Sequence, residues 1–253
     1  MLKVLTLNLH CFAESQRIEK QTRIVENIAE EQYDVIFLQE VAQSKEAAAV
    51  PLSTTVFSHE VRADNYAYSL LKGLKRLNHR YHMIYSVSNE AFGHYDEGLA
   101  ILSKTPFLSH HSRYVSKIQH YHDWRSRKIV YGDTIIKDRP FRWVSVHLGW
   151  SDDVEVFETQ FARLSQLQKK NTVTLFAGDF NVPDTSSEYA YTQLTLRDLA
   201  QNLNSLEPTH GEHRIDYIMS SYPFEAVDYR TLFKSQSDAV SDHRGVAMTL
   251  KLL

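Results

Sequence analysis

Polar residues able to hold a cation or activate water recur where apolar runs end. LTLNLH ends in Asn8 and His10, DVIFLQE ends in Glu40, and WVSVHLG carries His147. TLFAGDFN supplies Asp179 and Asn181, and SDH, just before the last apolar run, supplies Asp242 and His243. RIDYI instead sets an acid, Asp216, inside an apolar run, where an unpaired carboxylate is costly. Each residue alone has an ordinary structural explanation: an Asn caps a turn, a His satisfies a core hydrogen bond, a Glu is the first solvated residue after a strand. Their joint recurrence is not explained that way. Glu, Asp and Asn are hard oxygen donors, and without a Cys cluster the set suits Mg2+ or Mn2+ rather than a structural zinc. A hard cation flanked by His and Asp suits attack of water on phosphorus. Asp179 and Asn181, two apart on an extended chain, would point the same way, one taking a proton from water while the other donates to a substrate oxygen.

The elements that must position these groups follow from hydrophobic periodicity. Apolar runs bounded by polar residues predict strands at 3–9, 34–39, 98–103, 128–136, 141–148, 172–178, 214–219, 226–233 and 245–252. Amphipathic spacing predicts helices at 17–32, 64–79, 154–170 and 186–203. Strand, helix, strand occurs twice, with extra strands in each half. That order favours two packed sheets with helices outside, in a single domain over residues 1–253. Strand C-terminal ends in such layouts converge on one crevice.

A chain of 253 residues with 43% hydrophobic content can bury a sizeable core. Its net charge of -3 gives no general attraction to phosphate backbones or anionic membranes. The one cysteine, Cys11, can form no internal disulfide and reads as a packed residue. No run approaches the roughly 20 apolar residues of a membrane span. A strand-like run already begins at Lys3, so the expected location is cytoplasmic. The segment 110–128, HHSRYVSKIQHYHDWRSRK, reads as a solvated loop or edge strand, with metal binding by its four His as the alternative. Trp124 could stack on a sugar ring, and Arg125 and Arg127 could fork onto phosphate.

The motifs LTLNLH, FLQEV, DEGLAILSK, VSVHL, GDFN, RIDYI and SDH, in that order from residue 5 to 243, resemble the endonuclease/exonuclease/phosphatase superfamily with its deoxyribonuclease I-like fold. LTLNLHCF and DWRSRKIVYGD are similar to its small bacterial phosphatases, such as the maltose-phosphate phosphatases. The resemblance implies an α/β fold, a four-layer α/β/β/α sandwich with two central mixed sheets and a site at one end. It implies that Glu40 binds the catalytic metal, with Asn8 beside it and Asp242 nearby. Asp179 would orient or deprotonate the attacking water, and Asn181 would hold that water or a phosphate oxygen. His147 and His243 would stabilise phosphoryl charge, Asp216 would pair with His243, Glu97 would pair with His147, and Tyr95 would touch the phosphate. Abasic-site endonucleases carry a Tyr-x-Pro-Asn segment where this chain has SVHLG, and sphingomyelinases are secreted. The expectation is therefore a Mg-dependent phosphatase of a small phosphomonoester such as a sugar phosphate, with nucleic acid a less favoured partner. The alternatives are a phosphodiesterase, nuclease or sphingomyelinase-like, and a binding module that has lost catalysis. The filled metal and water positions argue against the last.

Overall fold

A computed structural model describes residues 1–11, 15–150, 154–203 and 206–253; Phe12, the last residue of LTLNLHCF, lies outside them. Among the described residues, twelve strands and four helices follow in the order β1 (Leu2–Asn8), α1 (Arg17–Glu31), β2 (Val35–Ser44), α2 (Tyr66–Arg76), β3 (His82–Ala91), β4 (Tyr95–Ser103), β5 (Ser109–Tyr114), β6 (Lys128–Ile136), β7 (Arg139–His147), α3 (Phe157–Ser165), β8 (Val173–Asp179), α4 (Ser187–Thr192), β9 (Arg197–Asp198), β10 (Asp216–Ser220), β11 (Phe224–Leu232) and β12 (Gly245–Leu252). They form two mixed six-stranded sheets, ordered β11-β12-β1-β2-β4-β3 and β5-β6-β7-β8-β10-β9.

Period-2 alternation builds the layers. On β2, Val35 and Phe37 enter the core between the sheets, while Ile36 and Leu38 pack outward with Ile24 and Ile28 of α1 and Leu70 and Leu74 of α2. On the second sheet, Trp143 and Leu175 face inward, and Val144 and Phe176 pack outward against Phe157 and Phe161 of α3. Both faces of the central strands are buried, which is why their sequences read as almost unbroken apolar runs. The result is the four-layer sandwich expected from the sequence.

The inward rows also locate the site. They read Leu2, Val4, Thr6, Asn8 on β1; Val35, Phe37, Gln39 on β2; Phe141, Trp143, Ser145, His147 on β7; and Val173, Leu175, Ala177, Asp179 on β8. Each row turns polar at the same end of the sandwich. β10 runs antiparallel to β8, so its first residue, Asp216, arrives at that end.

Several elements differ from the sequence expectation. β3 and β9 were not anticipated. The helix expected at 186–203 ends at Thr192, because Asp198 pairs with β10 and forms a 2.6 Å ion pair with buried Arg214. The helix expected at 154–170 shortens to Phe157–Ser165. The His-rich segment supplies edge strand β5, but its second half is not a solvated loop: it packs on the β3–β4 hairpin. Tyr121 Oη donates to Asp96 at 2.5 Å, the His122 ring meets Glu90 at 2.6 Å, and the Glu90 amide donates to the Tyr121 carbonyl at 2.7 Å. Among the described residues no helix is long and apolar enough to cross a membrane.

Gly178 of the GDFN stretch lies between β7 and β10 with φ +148°, and a Cβ there would stand 1.9 Å from the Val146 carbonyl oxygen. Backbone on a central strand cannot move aside cheaply. Gly178→Ala is expected to destabilise the fold by more than about 3 kcal/mol, through strain and displaced pairing together. Urea unfolding measures it, and a loss under about 1 kcal/mol would show that β7 and β8 can separate without cost.

Candidate active site

Glu40 reaches the site through a β-bulge. Leu38 pairs with Ala100 and Val41 with Gly98, so Gln39 and Glu40 together face only Leu99. Glu40 adopts φ 49°, the left-handed region, and β2 continues past it to Ser44 rather than ending there. A bulge re-aims a side chain without ending the strand. Beneath it, buried Gln39 ties the two sheets together: it accepts from Thr6 Oγ1 at 3.3 Å and donates to Ser145 Oγ at 3.1 Å.

Asn8 links the acids of the two sheets. Its Nδ2 donates to Glu40 Oε1 at 2.9 Å and to Asp179 Oδ2 at 3.1 Å. Asp179 is paired in register with His147 on one side and Asp216 on the other. Burial and the Asp216 charge push the Asp179 carboxyl up to about 7, against the pull of His243, the Asn181 amide and Asn8. Asn181 is not on an extended chain as expected: it takes φ 54° and turns back, its N–H donating to Asp179 Oδ1 at 2.8 Å and its Nδ2 to the Leu148 carbonyl at 2.8 Å. Both residues still line one cleft, through a turn rather than through strand alternation.

The two histidines are driven apart. His243 Nδ1 meets Asp216 Oδ2 at 2.9 Å, the pairing expected from the sequence. Burial disfavours its charge, but Asp216, with Asp179 and Asp242 adding, outweighs burial and pushes its pKa up to about 10. His147 goes the other way: burial, with Arg127 and His243 nearby, holds it well below the ordinary histidine value. Arg127 is itself buried and sets its Nη1 3.1 Å from His147 Nε2. A guanidinium can only donate, so Nε2 accepts and the neutral ring carries its proton on Nδ1.

The remaining expected residues sort by place. Glu97 lines the cleft but forms no hydrogen bond with His147 among the described residues. Burial and the Glu40 charge push it up to about 7, offset by Arg127, which stands in electrostatic contact with Glu97 and bonds His147. Asp242 lies at the cleft rim, with its Oδ1 3.2 Å from His10 Nδ1 and its Oδ2 3.4 Å from His210 Nε2. Trp124 is exposed and lines the cleft. Arg125 does not line it: its guanidinium forks onto Asp123 at 2.9 and 2.7 Å. Tyr95, the first residue of β4, does not line it either.

The cleft encloses about 640 Å³ and includes residues not expected from the sequence. His210 stacks on His243, ring centroids 4.5 Å apart, and its signal was the THGEH stretch just before RIDYI. Asn89 and Glu90 come from the unanticipated β3, and Phe92 and Trp150 add exposed aromatic surface at the mouth. Chemically the floor is an excess of oxygen donors. Glu40 and Asp179 share one amide donor, while Asp179 and Glu97 are raised first by burial and then by neighbouring carboxylates. A hard divalent cation fits that set, because it relieves the repulsion with the ligand type such ions prefer. Ligand atoms of Asp179, Asp216 and His243 lie within 4.8 Å of one another, as do those of His210, Asp242 and His243.

The chain belongs to the Endonuclease/Exonuclease/phosphatase family. The match runs over residues 5–243. None of the curated protein sequences matches the chain. Among solved structures, an endonuclease/exonuclease/phosphatase family protein from Leptotrichia buccalis aligns over 100% of both chains at 24% identity, with a TM-score of 0.91. The mannosyl-6-phosphatase Bt3783 of Bacteroides thetaiotaomicron aligns over 100% of both chains at 18% identity and TM-score 0.66. D. rerio TDP2 complexed with a single-strand DNA product aligns over 99% of this chain and 98% of that one, at 15% identity and TM-score 0.70. At these identities the resemblance concerns the fold. Members of the family are in general metal-dependent hydrolases of phosphoesters.

Asp216→Asn is expected to lower the His243 pKa in the metal-free protein from about 10 toward the ordinary histidine value near 6.5, so that at pH 8 the ring becomes largely neutral. NMR titration of the imidazole C–H resonance reads this. An unchanged midpoint would show that Asp216 does not hold the charge.

Proposed function

We propose that the chain is a metal-dependent phosphohydrolase that removes phosphate from a small phosphomonoester, such as a sugar phosphate. The observation that carries this reading is Arg127. It is buried, it lines the cleft, it donates through Nη1 to a neutral His147, and its Nε has no partner. A guanidinium with an unused buried donor beside a charged His243 suits a dianionic terminal phosphate better than a singly charged diester. Exposed Trp124 and Trp150 at the mouth suit the flat face of a sugar ring.

In this reading Glu40 and Asn8, with Asp242 at the rim, hold Mg2+ (or Mn2+). When bound, the ion supplies Lewis-acid stabilisation of phosphoryl charge. Asp179, raised toward neutrality, takes the proton of the attacking water. The water oxygen bonds to phosphorus as the ester P–O bond breaks, and the departing alkoxide takes a proton from solvent water to leave as the alcohol. His243, kept cationic by Asp216, and Arg127 face the charge that develops on the phosphoryl oxygens. His147 orients Arg127 rather than donating from Nε2, and Asn181 keeps the Asp179 carboxylate turned to the water.

The test is a panel at equal Mg2+: sugar phosphates, bis-p-nitrophenyl phosphate, abasic and nicked DNA, and sphingomyelin. A sugar phosphate is expected to give the highest kcat/KM, and a higher value for DNA or lipid overturns the monoester reading. Glu40→Gln is expected to lower activity by at least about 100-fold and to weaken Mg2+ binding in calorimetry. Arg127→Ala is expected to raise KM for the monoester by about 10- to 100-fold, the worth of one charged hydrogen bond. An unchanged KM removes Arg127 from the phosphate site.

A further inference from the structure

A second cavity, of about 690 Å³, opens between α2, the loop of residues 50–56 and the turn into β3. It shares no lining residue with the catalytic cleft. Tyr81 borders it just before β3, and Asn89 borders the cleft near the other end of that strand, roughly 25 Å away along the chain.

The floor is apolar: Val56, Leu71 and Tyr81 are buried, and Tyr68 is half-buried. The outer wall is fixed. Ser53 N–H donates to the Val56 carbonyl at 2.9 Å, Met83 N–H to the Thr55 carbonyl at 2.7 Å, and the His82 ring meets the Thr54 carbonyl at 2.8 Å.

The charge around this cavity is one-sided. Lys72, Lys75, His79 and Arg80 line it, and no Asp or Glu does. Residues 65–89 hold Lys72, Lys75, Arg76 and Arg80 with no acid at all, in a chain with 31 acidic and 28 basic residues. Tyr68, Leu71, Lys72 and Lys75 form one stripe of α2, and two lysines three apart on a helix repel. Lys75 gains from the helix C-terminus, but Arg80 lies beyond the helix. Lys72 is held over the Tyr68 ring at 4.7 Å and bonds the Ala63 carbonyl at 3.2 Å. Among the described residues Lys75 and Arg80 form no ion pair.

We propose that this groove binds a small anionic molecule with a flat apolar body, its phosphate or carboxylate set against Lys75 and Arg80 and its body against Tyr68, Leu71 and Tyr81. Uncompensated cations over an aromatic floor match that ligand in both halves: the anion offsets the repulsion along α2, and the apolar body covers the floor. The site is independent of the catalytic reading and stands whichever ester the enzyme hydrolyses.

The probes are phenylphosphonate, which has no ester bond to hydrolyse, benzoate, and neutral benzyl alcohol. Each is titrated into the full chain and followed by amide NMR. Phenylphosphonate or benzoate is expected to move resonances of residues 53–56 and 71–81 saturably, while benzyl alcohol is expected to bind there at least tenfold more weakly. Lys75→Glu with Arg80→Glu is expected to weaken anion binding at least tenfold and to leave turnover of p-nitrophenyl phosphate unchanged. If that variant fails to fold, Lys75→Gln with Arg80→Gln replaces it, with at least a threefold weakening expected. The proposal is overturned if both anions shift only cleft residues, if benzyl alcohol binds equally well, or if the charge variants bind the anion as tightly as the parent.

Discussion

Asp179 and Asp216 stand directly opposite each other on neighbouring antiparallel strands, both buried. Like charges in that position oppose strand pairing, and almost everything at this end of the sandwich answers the repulsion. His243 takes one oxygen of Asp216 and keeps its own proton. Asn8 and the Asn181 amide donate to Asp179. Even so, Asp216 Oδ1 has no partner, and Asp179 is left raised to about 7. A core built for stability alone would place apolar residues on these two strands. Burial together with the repulsion that remains gives one carboxyl a proton affinity near neutrality, and the pairing with Asp216 gives one imidazole a lasting charge.

That arrangement depends on both sheets ending their apolar rows together. Val4, Phe37, Trp143 and Leu175 fill the space between the sheets, and one step further along each strand the inward positions become Thr6, Gln39, Ser145 and Ala177. Gln39, bonded to Thr6 and Ser145, is the last link before the charged layer, so it sets the separation at which Asn8 reaches Glu40 and Asp179 at once. The bulge at Glu40 then turns that carboxylate into the same cleft. A one-residue slip on β1 or β8 would send Asn8 or Asp179 to the outer face, among the helices.

Much of this was legible in the sequence. The apolar runs marked most of the central strands, and the acid inside RIDYI announced a buried partner, which is His243. What was not legible depended on tertiary pairing. β3, HMIYSVSNEA, is interrupted by Ser86, Ser88 and Asn89 and so shows no unbroken apolar run, and β9 is two residues long and exists because Asp198 is needed by Arg214. The Glu40 bulge and the left-handed Asn181 are backbone states that residue type alone does not announce. Arg125 and Arg127 are equivalent in sequence, two residues apart in DWRSRK, yet one closes on Asp123 and the other is buried against His147. Only the docking of Tyr121 and His122 on the β3–β4 hairpin decides between them.

That docking separates two kinds of constraint in the molecule. The metal-type donors and the His243–Asp216 pair sit on central strands, where register fixes them. Arg127 and Trp124 arrive on a segment outside the sheets, held by Asp96 and Glu90. A common fold hosts many activities because its rigid strands keep the reacting groups while peripheral segments vary. Here the peripheral segment also reaches inward. Arg127 bonds His147, adds to the burial that holds it below the ordinary histidine range, and keeps Glu97 in its field. On the proposed reading, the wall that would contact the substrate thus adds to the field on the floor that would act on it, so a change in the 115–127 segment would alter specificity and chemistry together.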